Sequence, residues 1–439
     1  MRGDLSCIEK KHAQSRLPMS ATSKFIELKN ANRQGRGGVA VSVCSAHPLV
    51  LRAALRSAKR HNTFALIEST SNQVDQYGGY TGMTPPQFVS MVNSLAENEN
   101  FPISEILLGG DHLGPNSWRM QAGSAAMVEA CKLVEQYVTA GYRKIHLDAS
   151  FVCADDTLPL SPEVIVKRCV EMARTAESVA DPDGKPIYVI GTEVPVPGGV
   201  TEDEAIAVTT PSDVRATLAA FRSAFVDGGL EAAWERVTAL VIQPGVEFGD
   251  AHVHDFVPSM DLASTIEASP GLVYEAHSTD YQSAENLDAM VRNHYFVLKV
   301  GPWLTFALRE GLFALEMMEK ELSPAQSSNF RQTLLNTMRR DPGYWKSYYT
   351  GSADEIERKL AFSYSDRARY YLGHPDVCRA QEVLFANLAG RLTDGLLSQY
   401  MPLQYQAIRS GRLLANPQDL AIDRVCNVLD LYHRAGRSG

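Results

Sequence analysis

Cysteine is scarce and scattered, seven in 439 residues, an odd number with no Cys-x-x-Cys pair. That excludes zinc-finger and dithiol redox motifs and argues for a reducing, cytoplasmic setting. No apolar run approaches the ~20 residues needed to cross a bilayer, so no membrane partner is expected. Residues 1–23 mix Arg, Lys, His and Ser, lack a signal-peptide core, and read as a flexible extension. Positive charge is in deficit, 42 Lys and Arg against 51 Asp and Glu for a net charge of -9, which excludes the basic stripe that nucleic acid demands. A Gly-x-Gly-x-x-Gly turn is missing after the first apolar run, against a dinucleotide fold.

What the chain does have is one unit repeated eight times. Short Val-, Ile- and Leu-rich runs cover residues 39–43, 64–67, 106–108, 144–147, 187–190, 240–242, 272–274 and 296–300. Each ends in polar or Gly residues and leads into a segment of helical spacing: 48–60, 84–96, 120–140, 162–180, 212–227, 259–268, 282–293 and 304–321. The runs show little alternation, as expected of parallel strands buried on both faces. Eight strand-helix units predict a closed (β/α)8 TIM barrel over residues 24–322, with an open doubly wound sheet as the alternative. Residues 323–439 are helical and aromatic-rich and are expected to pack on the barrel as a C-terminal helical region. Two clusters there, residues 344–349 and 362–371, fit packing or a subunit interface, and a homo-oligomer is expected. Arg367 and Arg369 also fit a lid or phosphate clamp.

In such a barrel the functional residues lie at the C-terminal ends of the strands. Gly109-Gly110-Asp111-His112 is the most informative of these, a carboxylate and an imidazole side by side where the third run opens into a loop. His112, Glu193, Gln243 and His277 leave the third, fifth, sixth and seventh strands, and together they would make a site for a divalent cation. Zn²⁺ is the first choice, with Mn²⁺, Ni²⁺ or Co²⁺ as alternatives. Each has a plainer reading: a hydrogen-bonded core histidine for His112 and His277, an Arg partner for Glu193, a turn residue for Gln243. His252 and His254 are spaced as a two-residue hook but fall in a loop.

Several stretches carry a family resemblance. Val43-Cys44-Ser45-Ala46-His47-Pro48, Ser71-Asn72-Gln73-Val74, Gly109-Gly110-Asp111-His112-Leu113-Gly114-Pro115-Asn116, Lys144-Ile145-His146-Leu147-Asp148-Ala149-Ser150, Gly191-Thr192-Glu193-Val194-Pro195, Gln243-Pro244-Gly245 and Tyr274-Glu275-Ala276-His277-Ser278-Thr279-Asp280 resemble the GatZ/KbaZ-type subunit of D-tagatose-1,6-bisphosphate aldolase. The resemblance runs from about residue 37 almost to the C-terminus and implies a class II, metal-dependent aldolase scaffold. It implies a proton-transfer role for Asp111, metal ligation by His112, Glu193 and His277, and for Asp148 either a second cation position or proton transfer. Two departures stand out. The aldolases carry a ligand His where this chain has Gln243, and a Gly-rich phosphate cradle where it has Ser278-Thr279-Asp280, whose carboxylate would repel a phosphate.

The resemblance implies two activities: a stabilising subunit for a separate aldolase, or a 4-epimerase interconverting D-fructose and D-tagatose or their phosphates. The C4 proton of a 2-ketose is not acidic, so inversion there calls for breaking and re-forming the C3-C4 bond, which is aldolase chemistry. On this reading Asp111 handles the O4 proton and Asp148 or Glu68 the opposite face, while Ser45, His47, Asn72, Gln73, Ser278, Asp280 and Lys299 hold the substrate. For Lys299 an ion pair at the strand end is the alternative.

Overall fold

The computed structural model describes residues 19–192 and 206–437. Eight parallel strands close a barrel in the order β1-β10-β9-β6-β5-β4-β3-β2. They are β1 (Ala40–Cys44), β2 (Ala65–Thr70), β3 (Ile106–Leu113), β4 (Lys144–Leu147), β5 (Ile187–Ile190), β6 (Val237–Ile242), β9 (Val273–Ala276) and β10 (Tyr295–Val300). Two further strands, β7 (Glu247–Phe248) and β8 (Val253–His254), form a small antiparallel ladder in the loop after β6. The expected (β/α)8 barrel is therefore the fold.

The chain between strands supplies the helices. They are α1 (Ala21–Arg33), α2 (Pro48–His61), α3 (Pro85–Asn98), α4 (Gly123–Thr139), α5 (Pro162–Val179), α6 (Pro211–Asp227), the short α7 (Glu231–Trp234), α8 (Met260–Glu267), α9 (Ala284–Arg292) and α10 (Pro302–Leu322). Proline opens α2, α3, α5, α6 and α10, where its missing N–H costs nothing and its fixed φ suits the first turn. Ser161, Thr210, Ser259 and Ser283 cap α5, α6, α8 and α9 by accepting a backbone N–H.

The barrel interior is layered. At its N-terminal end Ala40, Leu66, Leu107, Ile187, Ala239, Val273 and Val297 form an apolar plug. α1 closes this end, its Phe25 edge-on to Phe64 and to Phe296 at 6.0 and 5.0 Å. Outward-facing Val41, Ile67, Leu108, Ile145, Tyr188, Leu240, Tyr274 and Leu298 join the surrounding helices in the main core. The strands therefore do alternate, contrary to the sequence reading. Their inward positions turn from apolar to charged halfway along the barrel, and a short run samples too little of either half to show it.

β3 also extends beyond the expected residues 106–108. Asp111 and His112 lie within the strand, at a register shift against β4 between Gly110 and Leu113, with His112 at φ +49°. The glycines make room for this path. A Cβ on Gly109 would come within 2.7 Å of the Glu68 side chain, and one on Gly114 within 1.7 Å of the Asp148 carbonyl oxygen.

Beyond α10 lie α11 (Phe330–Arg340), α12 (Ala353–Phe362), α13 (Pro375–Leu388), α14 (Asp394–Tyr400), α15 (Pro402–Arg409) and α16 (Pro417–Ala435). α16 packs across α2, α9 and α10, while α13 lies on α10 and α11. The segment between α12 and α13 includes a short 3-10 turn, Arg367–Tyr370, that reaches the C-terminal mouth of the barrel.

Candidate active site at the barrel mouth

Halfway up the barrel the interior becomes ionic. Lys144 on β4 is fully buried, with Nζ 2.6 Å from Glu68 Oε1 and 2.8 Å from Glu275 Oε2. Burial would lower the Lys144 ammonium, but Glu275 and Glu68 more than offset it and hold it above the ordinary lysine value. One step nearer the mouth, the Lys299 ammonium pairs with Asp111 and lies 3.8 Å from both Glu68 and Glu275. Burial alone would raise the Asp111 carboxyl, yet His112, Lys299 and His146 together keep it well below the usual range.

Above these ion pairs stand three imidazoles. The His112, His146 and His277 ring centroids are 4.9 to 5.3 Å apart. Each ring has one nitrogen on a carboxylate: His112 Nδ1 on Asp148 at 2.7 Å, His146 Nδ1 on Asp111 at 3.0 Å, and His277 Nε2 on Glu275 at 3.1 Å. Carboxylates in these positions fix the orientation of metal-ligating imidazoles. His146 Nε2 is buried with no hydrogen-bond partner among the described residues. Burial lowers the His146 imidazole, and burial with Lys299 holds His277 well below the ordinary value, so both rings are kept in the neutral, ligating form.

The donor set fits a divalent cation. Ligand atoms of Asp111, His146, Glu275 and His277 lie within 4.8 Å of one another, and His112 Nε2 is 3.7 Å from Asp111 Oδ2. Charge agrees: Lys144 and Lys299 face Glu68, Asp111 and Glu275, and Asp148 on His112 is a fourth buried carboxylate, so two ammonium groups stand against four carboxylates, an excess that a cation would neutralise.

The cluster opens into a cleft at the barrel mouth. Asn72, Gln73, Asp111, His112, His277, Ser278, Asp280 and Lys299 of the sequence-derived set line it. Tyr348, Arg367, Arg369 and Tyr370 of the C-terminal region form its outer wall. Ser278, like His112, holds a positive φ, +53°, the kind of local strain that clusters at binding sites.

Other residues singled out in the sequence lie elsewhere. Glu68 faces Lys144 in the interior and is not part of the cleft wall. Both Asp148 oxygens are engaged, Oδ2 by His112 and Oδ1 by the N–H and hydroxyl of Ser150. Gln243 turns back, its Oε1 accepting the Gly245 N–H at 2.8 Å. Ser45 and His47 line a neighbouring cavity, and His47 caps α2, where burial lowers its imidazole to about 4. Glu193 lies outside the described residues. His146, Lys144 and Glu275 were missed. Their signal is the strict alternation of Lys144-Ile145-His146-Leu147-Asp148 and of Glu275-Ala276-His277, which places every polar member on the barrel's inner face.

A model of the D-tagatose-1,6-bisphosphate aldolase subunit GatZ/KbaZ-like family matches residues 25–437. The chain belongs to that family. A crystal structure of a probable tagatose 6 phosphate kinase from Sinorhizobium meliloti 1021 is 40% identical, with 91% of this chain and 100% of that chain covered at a TM-score of 0.85. A fructose-bisphosphate aldolase from Campylobacter jejuni matches at 13% identity over 83% of this chain and 96% of that chain, with a TM-score of 0.48, too slight a likeness to bear on chemistry. Family membership thus places the barrel on an aldolase-related scaffold. Among the described residues, no helix is long and apolar enough to cross a membrane.

Proposed function

We propose that this chain is a metal-dependent ketohexose 4-epimerase, acting on D-fructose and D-tagatose or their phosphates by breaking and re-forming the C3-C4 bond. The observation that carries this is the trio of imidazoles, each held by its own carboxylate, with Asp111 held well below the usual carboxylate range by His112, Lys299 and His146. His112, His146 and His277 would hold the cation, with Zn²⁺ the first choice for an imidazole-rich set and Mn²⁺, Ni²⁺ or Co²⁺ as alternatives. A bound divalent cation would supply electrophilic polarisation of the C2 carbonyl.

The chain's own residues do the rest. Asp111 takes the proton from O4, the C3-C4 bond breaks, and its electron pair moves into the C2-C3 enediolate, leaving C4 as an aldehyde. The aldehyde turns, the pair attacks its other face, and the proton returns to O4, so no atom or electron is gained or lost. Lys299, with His112 and His146, favours the ionised form of Asp111, and it offers an N–H donor to developing negative charge. Asp148 and Glu275 position His112 and His277, and Glu68 holds Lys144 beneath them. Asn72, Gln73 and Ser278 line the cleft where the sugar hydroxyls would lie.

The family description supports a second reading, a non-catalytic subunit that stabilises a separate aldolase. One experiment separates them: metal-replete protein alone is incubated with fructose, tagatose and their phosphates, the products are resolved by chromatography, and metal content is measured. The epimerase reading expects about one divalent ion per chain and conversion that chelation abolishes. No metal and no conversion, with a gain in a partner aldolase's stability, would favour the subunit.

A further inference from the structure

Two guanidinium groups in the cleft wall have no carboxylate partner among the described residues. Arg367 is 3% exposed, its guanidinium stacked 3.2 Å from the Tyr348 ring centroid. Among the described residues its one side-chain hydrogen bond is a long one, from Nη1 to the Tyr370 hydroxyl at 3.5 Å, and its buried Nε and Nη2 meet no partner. Arg369 donates to the Ser365 and Asp366 carbonyls and, at 3.1 Å, to the Tyr370 hydroxyl. The nearby Asp366 carboxylate is turned to Arg309 at 2.9 Å. A buried guanidinium with open donors is costly until hydrogen-bond acceptors complete it, and its forked donors match phosphoryl or carboxylate oxygens best.

The barrel's other anion position is already filled. Barrels of this kind offer phosphates the loops after the seventh and eighth strands and an adjoining helix N-terminus. Here Asp280 Oδ1 occupies the first turn of α10, accepting the N–H groups of Gly301 at 3.0 Å and Trp303 at 2.8 Å.

We propose that Arg367 and Arg369 bind a single terminal oxyanion, phosphoryl or carboxylate, at the C6 end of the ketohexose, while the C1 end is uncharged. This rests on the epimerase reading for the sugar's orientation. With the C2 carbonyl and O3 at the imidazoles, C1 is tied to the cluster and C6 is the terminus free to extend to the outer wall.

The test is calorimetric titration of the metal-replete full-length chain, a readout independent of turnover. Ligands are tagatose, its 6-phosphate, its 1,6-bisphosphate, the corresponding 6-carboxylate, and inorganic phosphate. A 6-charged sugar should bind at least ~10-fold more tightly than tagatose, and the bisphosphate no more tightly than the monophosphate. Arg367→Met and Arg369→Gln should erase that preference, and Arg367→Lys should recover part of it, with circular dichroism confirming that each variant is folded. Equal affinity for charged and uncharged sugars, tighter binding of the bisphosphate, or folded variants that keep the preference would overturn the proposal. A preference that Arg367→Met erases in a protein that epimerises nothing would leave the subsite standing and sink only the catalytic reading.

Discussion

Lys144 has no contact with the cleft, yet the site depends on it. It is the shared counterion of Glu68 and Glu275, and Glu275 in turn orients His277. Replacing it with the similar-sized Met leaves two buried carboxylates with only the more distant Lys299, a loss of roughly 3 kcal/mol. Denaturant unfolding of Lys144→Met checks this, and a stability within about 1 kcal/mol of wild type would contradict the ionic layer as drawn. Asp111→Asn removes the base while keeping its shape. Turnover should fall by roughly 10²-fold or more with metal content near normal, and loss of the metal instead would make Asp111 a ligand.

Residues of this kind differ in how readily sequence reveals them. Asp111, His112 and His277 were legible because they stand at strand ends next to Gly or in a recognisable motif. His146 was not, because between Ile145 and Leu147 on a short strand it looks like a core histidine until the barrel's inner face is known. Gln243 looked like a donor because it leaves the sixth strand in the right place, but local turn geometry, its bond to the Gly245 N–H, decides where its side chain points.

At the scale of elements, α16 ties the C-terminal region to the first repeat of the barrel. Its His433 stacks on His61 of α2, with ring centroids 4.8 Å apart, and His61 also bonds Asp430 of α16 at 2.9 Å. Burial, with His61 and Arg437 adding to it and Asp430 opposing, lowers the His433 imidazole to about 3. The unfolded chain protonates this group near 6.5 and the folded chain does not, so its contribution to stability is present above pH 6.5 and is lost as pH falls toward about 3. Between pH 6.5 and about 4.5 the melting temperature should drop on the order of 5 °C more in wild type than in His433→Phe. Parallel melting curves would show that His433 is not the sensitive group. The elements themselves were largely legible, since Pro and Ser helix starts and short apolar runs are local signals. The length of β3 was not, because pairing with β4 carries the strand through two glycines and a left-handed His112 that read locally as a turn.

Across the whole molecule three layers stack along the barrel axis: the apolar plug sealed by Phe25, the ionic layer around Lys144, and the imidazole cluster under a wall of Arg and Tyr from the C-terminal region. The charged middle layer makes sense only with something above it. Its excess negative charge would be neutralised by a cation, and Asp111 and Lys299 at its top edge face the cleft. The central claim is bond-breaking at C3-C4, and the most direct measurement follows a deuterium placed on C4 of the ketohexose through epimerisation by the metal-replete protein, read by NMR. Because that hydrogen stays on its carbon while the bond to C3 opens and closes, the account predicts inverted product with the label fully retained, and with occasional capture of an added aldehyde in place of the native fragment. Inverted product that has lost its deuterium to water, or no inversion of any ketohexose with or without phosphate, would contradict it.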